Sequence, residues 1–508
     1  MRLILVLCVL LTTCVWGVED APKQVKHRQG PAVAEGPVIR EVWSNRLNPQ
    51  GRLGWVQTLS YYVEEQGKKL IRTVVRDHIR YLRSGDPYME ENEQYSLEDE
   101  EGTVLEGYRT SLGKNQDLVV RGRPDGNSIE LEVLDQSGKK VVYRQKKPWD
   151  SRARGILFQD RYLEGIKDWT TGKTYTVYGF VQTLNAVAPG TFTVLGKKKM
   201  TLHGEERELE ELEQSYPREC YLEKSRHYVD PETGVSWMTT EDSSLFDVIS
   251  HIRCNKAQAL APFAGTVRDH DVPVTMDKPI PMTLLELPSK LKLALEMSEE
   301  EHPEQVFLNT PRQQFLQKQG KRSEFRLTAK PKSYPPEPMP GPEYLESNFY
   351  IRSEDAHVKK LAMEIVGEAK TTEAKMKRIH RWVGKNVKGG YEVGFATADE
   401  VARTLEGDCT EMGVLAAALG RVAGIPSRVC FGLVYDPTHA GFGGHLWIEA
   451  YVDNCWKTYD PTGVLDVLGA AYLRIDGYSM ANVLIPDELP GVRRGFAGRM
   501  KVYLLEHR

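Results

Sequence analysis

The chain has no basic excess. Its 67 Lys and Arg against 71 Asp and Glu leave a net charge of −4 over 508 residues, whereas nucleic-acid binding needs a concentrated positive face. Low-complexity tracts are absent. After Val18 no apolar run is long enough to cross a bilayer, so the mature chain is expected to carry no integral membrane span. No EF-hand pattern marks a calcium loop. His251-Ile-Arg-Cys254 could be half of a metal site, but no second half stands at a suitable spacing. The sequence therefore predicts neither metal nor cofactor.

What is present begins with a targeting pattern. Met1-Arg2 gives a positive start, Leu3 to Val15 is apolar but for two threonines, and Val15 and Gly17 are small residues at a cleavage point. Residues 1–17 read as a signal peptide and the mature protein as periplasmic or secreted. Leu11-Thr12-Thr13-Cys14 matches a lipoprotein box poorly, which leaves lipidation as the minor alternative. Export permits disulfides. The cysteines beyond the leader are Cys220, Cys254, Cys409, Cys430 and Cys455, an odd number that leaves at least one thiol free. Cys220 and Cys254 either pair or are two small buried residues. Cys430 and Cys455 open strands on either side of the His445 strand, too far apart for a bridge.

An apolar content of 40% and a charged content of 27% describe ordinary globular protein. Residues 36–265 are strand-rich: WVQTLSYYV (55–63), LIRTVVRDHIRYL (70–82), SIELEVL (128–134) and TYTVYGFVQTL (174–184) alternate with turn clusters, as an antiparallel meander would. Helix is expected there only near GEERELEELEQSY (204–216). GWVQTLS (54–60) and GFVQTLN (179–185) are alike, which either a duplicated β module or chance similarity of two strands explains. Residues 266–343 read as a Pro-rich connector with a short helical stretch near 283–300. The second Pro-rich run, KPKSYPPEPMPGPE (330–343), runs extended and marks the domain boundary. From 354 onward the period becomes helical: Val358, Leu361, Ala362 and Ile365, then Met376, Ile379 and Val383, then Ala398 to Leu405.

Three residues then stand where thiol chemistry needs them. Cys409 opens the helical pattern CTEMGVLAAALGRV, where the helix macrodipole favours a thiolate. His445 heads the alternating run HLWIEAYV, from which an imidazole can take the thiol proton. Asp460 closes CWKTYD, where a carboxylate can fix the imidazole tautomer. Asp408 and Glu411 flank the thiol in the first helical turn as caps; alternatively Glu411 pairs with Arg428. Thr438 to Gly444 reads as a loose, Gly-rich lip with an exposed His439. Trp447 shares the His445 face, as cleft wall or as core.

With GDC at 407–409, GIPSRV at 424–429, GHLWIEAYV at 444–452 and YDPT at 459–462, the chain resembles the transglutaminase-like superfamily of papain-fold thiol enzymes. The resemblance is to an exported bacterial type and covers the C-terminal third. It implies an α+β fold, with a transglutaminase-like (papain-like) domain at 344–508 behind a mainly antiparallel β region. It also implies Cys409 as nucleophile, His445 as base and Asp460 as its partner, acting on amide bonds of peptides or glutamine side chains. A second oxyanion donor is usual in the family; Trp382, Asn386 and Tyr391 lie in the right part of the chain. The expected partner is a protein or peptide substrate. Hydrolysis is favoured over cross-linking to an amine, and the alternative from another class is a non-catalytic envelope protein that works through its β-rich region.

Overall fold

The β-branched runs of the N-terminal half pair into one antiparallel sheet of fourteen strands in the computed structural model, from β1 (Val38–Asn48) to β14 (Asp247–Cys254). The structure describes residues 32–508 apart from 84–85, 113–116, 136–137, 182–184, 218–219, 221–223, 244–246, 264–273, 282–287, 298–301, 390–394, 464–467, 485–487, 490–495 and 497–498. The proposed leader at 1–17 lies outside the described residues. The chain lays down β1 to β8 (Val141–Pro148) as one meander and β9 (Thr174–Val181) to β14 as a second. The two join where Trp43 of β1 pairs with Cys254 of β14. GWVQTLS falls in β2 (Gly51–Glu65), while GFVQTLN runs from β9 into undescribed residues.

Helix α1 (Ile156–Glu164) connects the meanders and packs inside the sheet. Its first amides donate to Ser96 Oγ (3.1 Å) and Glu98 Oε1 (3.1 Å), and its last turn pairs Glu164 with Arg40 at 2.5 Å. A Cβ on Gly234 would lie 2.2 Å from Glu164 Cα. One short helix thus touches strands far apart in the sheet order, so the sheet curls around it. Helix α2 (Lys256–Leu260) follows β14.

Two expected helices are strands. Residues 204–216 form β11 (Glu205–Ser215), hydrogen-bonded to β10 (Ala186–Leu202) with Lys197 opposite Glu210 and Lys199 opposite Glu208. A lysine-bearing partner strand neutralises the glutamates, and cross-strand pairing overrides local propensity. The stretch near 283–300 contains β16 (Lys290–Glu296), whose Leu291, Leu293 and Leu295 alternate into a core and are 1% exposed or less. Among the described residues of the expected connector, the α-helix is the four-residue α3 (Pro303–Val306). With β17 (Gln313–Gln319), β18 (Arg322–Thr328) and β23 (Lys501–His507), β16 builds a four-stranded sheet in the order β17-β18-β16-β23. The expected connector is therefore largely folded around the C-terminal strand. Residues 330–343 are without strand pairing but are pinned, since Glu337 N–H donates to Asn454 O at 2.8 Å.

The helices appear where the period places them: α4 (Ala356–Val366), α5 (Thr372–Asn386), α6 (Ala398–Thr404) and α7 (Cys409–Val422). Helix α7 lies on a sheet of β15 (Val274–Thr275), β20 (Gly441–Val452), β19 (Ser427–Asp436) and β22 (Tyr472–Tyr478), with β21 (Cys455–Tyr459) also paired to β20. Close approach is possible because Gly413 has no side chain; a Cβ there would stand 2.1 Å from Leu446 Cδ2. This core is continuous with Ile129, Leu131 and Val133 of the large sheet through Tyr143 and Phe349. Lys147 and Glu488 pair across the same junction at 2.9 Å. Cys220 and Cys254 are separate thiols, as are Cys409, Cys430 and Cys455.

Candidate active site

The turn into α7 depends on Gly407, which has φ +156° and where a Cβ would meet Glu411 Cβ at 2.2 Å. Asp408 caps the helix, its carboxylate accepting the Thr410 N–H at 2.8 Å. Glu411 completes the capping box: one oxygen accepts Asp408 N–H (3.0 Å), the other reaches out to Ala396 N–H (3.0 Å). Full burial, with the Asp408 charge beside it, pushes the Glu411 carboxyl up to about 9. Glu411 is then neutral near pH 7 and adds no negative charge beside the thiol. The capping reading thus holds, and the alternative pairing of Glu411 with Arg428 does not form. Arg428 instead bonds Glu449 at 2.6 Å, directly opposite it in the β19–β20 ladder, and lies 4.1 Å over the Trp456 ring.

Ladder register carries His445 and Asp460 to the mouth of α7. Gly432 pairs with His445, and Ile448 pairs with Tyr459, the residue before Asp460. His445 Nε2 and Asp460 Oδ2 are 2.8 Å apart. Asp460 is 2% exposed, and its other bonds are all to this neighbourhood. Thr462 donates its hydroxyl (2.6 Å) and N–H (3.0 Å) to Oδ1, and Tyr472 donates its hydroxyl to Oδ2 at 2.7 Å. Burial opposes ionisation of Asp460, but His445 and the two hydroxyls outweigh it and hold the carboxyl well below its usual range. Burial would lower the His445 pKa, yet Asp460 and the Cys409 sulfur carry it well above the ordinary value. With Nε2 on the carboxylate, Nδ1 is the nitrogen left for the thiol.

The structure thus brings His445 and Asp460 into direct contact, with the Cys409 thiol near enough to influence the imidazole's charge. Trp447 is core, 1% exposed, with its ring 6.0 Å from that of His445 and its edge filling the space above Gly432. His439 is exposed and pairs with Asp436 at 2.5 Å. The loose lip is shorter than expected: β20 already begins at Gly441, because Gly443 and Gly444 pair with Val434 and Leu433 while Phe442 is fully buried against Tyr435. Of the candidate oxyanion donors, Trp382 is partly buried against the core and Asn386 spends its amide on Trp382 O at 2.8 Å. Tyr391 lies outside the described residues. Tyr472, Thr462 and His380, whose Nε2 is 2.6 Å from Asp460 O, escaped sequence reasoning. A tyrosine in a strand and a histidine on a helix's apolar stripe both read as core, and only the YDPT context pointed toward Thr462. Among the described residues no group of three or more His, Cys, Asp or Glu is gathered to hold a metal.

A protein of Haemophilus influenzae, described only as uncharacterised, is 28% identical over 141 residues, covering 27% of this chain. The match takes in 36% of that relative, so this chain spans about a third of its length. A candidate cysteine protease from Cytophaga hutchinsonii aligns at TM-score 0.26 and 17% identity over 44% of this chain and 84% of its own. A β-barrel-like protein of unknown function from Brucella abortus aligns at TM-score 0.30 and 7% identity, over 44% of this chain and 98% of its own. Such structural similarity is too low to carry an assignment. The model of the transglutaminase-like superfamily matches residues 359–461, a span that includes Cys409, His445 and Asp460. Residues 359–461 therefore form a transglutaminase-like superfamily domain.

Proposed function

We propose that this chain is an exported thiol enzyme that opens amide bonds of peptides or glutamine side chains through an acyl-enzyme on Cys409. The observation that carries the reading is the 2.8 Å bond from His445 to a buried, four-times-bonded Asp460. The Cys409 thiolate attacks the amide carbon, and the carbonyl oxygen takes the negative charge. The backbone N–H of Cys409, at the first turn of α7 with no intrahelical partner, would donate to it. His445 passes its proton to the leaving nitrogen, the C–N bond breaks, and a thioester remains. Water then attacks the thioester while His445 takes its proton; the carboxylate leaves and the thiol is restored. Asp460 holds the imidazole and stabilises its charge.

An amine in place of water would give cross-linking by the same steps. Hydrolysis is favoured because water is always present. The leader-like pattern at residues 1–17 supports export, to the periplasm or beyond. The test is incubation with a glutamine peptide, with and without a fluorescent amine, following ammonia release and amine incorporation separately. Ammonia release without incorporation supports hydrolysis, incorporation supports transfer, and neither leaves the chain as a binding or assembly protein.

A further inference from the structure

We infer that His380 and Gly384 of α5 are positioning residues that hold Asp460, and through it His445, in register with Cys409; the inference rests on the thiol-enzyme reading above. Two observations carry it. His380 is buried, and its Nε2 is 2.6 Å from the backbone oxygen of Asp460. A carbonyl only accepts, so Nε2 carries the proton. One turn further along the same face, a Cβ on Gly384 would stand 2.4 Å from the backbone oxygen of Pro461. Helix α5 is thus fitted to two consecutive carbonyls.

The need for such a strut follows from where the ladder stops. The β20–β21 pairing ends at Tyr459, so Asp460 is the first residue past the strand. Its carboxylate is fixed by Thr462, two residues on, and by Tyr472 of β22. Both contacts belong to the sheet side of the site. Cys409 belongs to the helical side, on α7, against which α5 packs through Met376, Ile379 and Val383. Gly463 N–H also reaches the Asp460 oxygen, at 3.2 Å, but it too lies in the turn after β21. The His380 bond crosses from the helices to the backbone of Asp460. Losing it frees the carboxylate to shift against the thiol, and displacements of this kind cost rate steeply.

The experiment uses the full chain, with iodoacetamide as the thiol probe and the glutamine peptide as substrate. His380→Ala is expected to lower kcat about ten- to a hundred-fold with KM nearly unchanged, to slow Cys409 alkylation, and to move the alkaline limb of the pH–rate profile downward as Asp460 loses its hold on the imidazole. His380→Gln carries its amide nitrogen at the same remove from the backbone and should recover part of each effect. Gly384→Ala, which pushes on Pro461, should act in the same direction and provides the test if His380→Ala fails to fold. Variants with a lower melting temperature but an unshifted profile, wild-type kcat and no rescue by glutamine would overturn the inference. If alkylation of wild-type Cys409 proves independent of His445, it is the enzyme reading that fails instead.

Discussion

Asp460 sits at the centre of the site's electrostatics, and its neighbours set how each residue should respond to substitution. Cys409→Ala and His445→Ala should each reduce turnover to background, because the thiol and imidazole act as a unit. Asp460→Ala should leave roughly ten- to a hundred-fold more residual rate than either, since it only orients and stabilises; equal turnover in Cys409→Ala and the unmodified protein would refute the mechanism. The His445 pKa is raised by Asp460 and the thiol, so activity that needs imidazolium is kept below that raised value and lost as pH climbs through it. The alkaline limb of kcat/KM should therefore lie well above pH 6.5, the ordinary histidine value, and should fall in Asp460→Asn. Glu411 adds a stability effect of the same sign. Its folded pKa of about 9 is above its unfolded value, so the folded state holds a proton that the unfolded chain releases, and wild-type stability declines as pH rises between about 4.5 and 9. Melting temperatures of wild type relative to Glu411→Gln should drop steadily across that window, and parallel curves would contradict a buried neutral carboxyl. The three chemical residues were legible because each stands beside patterned punctuation in the sequence: a helical pattern just after a glycine, an alternating run just after two glycines, and the residue before a proline. Their supports were not, since Tyr472 and His380 reach Asp460 only through the tertiary fold.

Periodicity located elements well where one face is buried against a single neighbour. Helices α4 to α7 follow Val358, Met376, Ala398 and Cys409 because the apolar spacing there is helical and the caps Asp355, Thr371 and Asp408 are polar residues that accept backbone N–H groups. It misled where charge dominates composition. The glutamates of β11 resemble a solvated helix until the lysines of β10 are placed beside them, and β16, expected as part of a short helix, alternates Leu291, Leu293 and Leu295 into a core that the local sequence does not reveal. Contact between α7 and β20 is tight enough to test alone. Gly413→Ala forces a methyl into Leu446 and should destabilise the protein by about 1–3 kcal/mol, read as a lower denaturant midpoint with an unchanged slope; no shift would mean that the two elements stand further apart.

At the scale of the whole molecule, the sequence suggested a domain beginning near Gly341, whereas β23 pairs with β16 and a common core joins Leu293, Phe325, Leu433, Leu473 and Val502. A fragment from Gly341 would lose β15 to β18 and expose that core, so it should be insoluble or unfold without cooperativity, while the full chain unfolds with a defined transition. Soluble, cooperative behaviour of the fragment would restore the shorter boundary. The intact chain is also where the central claim is best tested. Of the five described cysteines, Cys430 and Cys455 are buried and have raised pKa values, Cys430 up to about 12, while Cys409 alone lies beside an imidazole held by a carboxylate. The most direct measurement is iodoacetamide labelling of the full-length protein at pH 6, with peptide mapping over time. The account predicts that Cys409 is modified first and that His445→Ala slows its labelling by at least roughly tenfold, the effect of removing a neighbouring cation. Labelling of Cys409 no faster than of the other cysteines, or unaltered in His445→Ala, would contradict it.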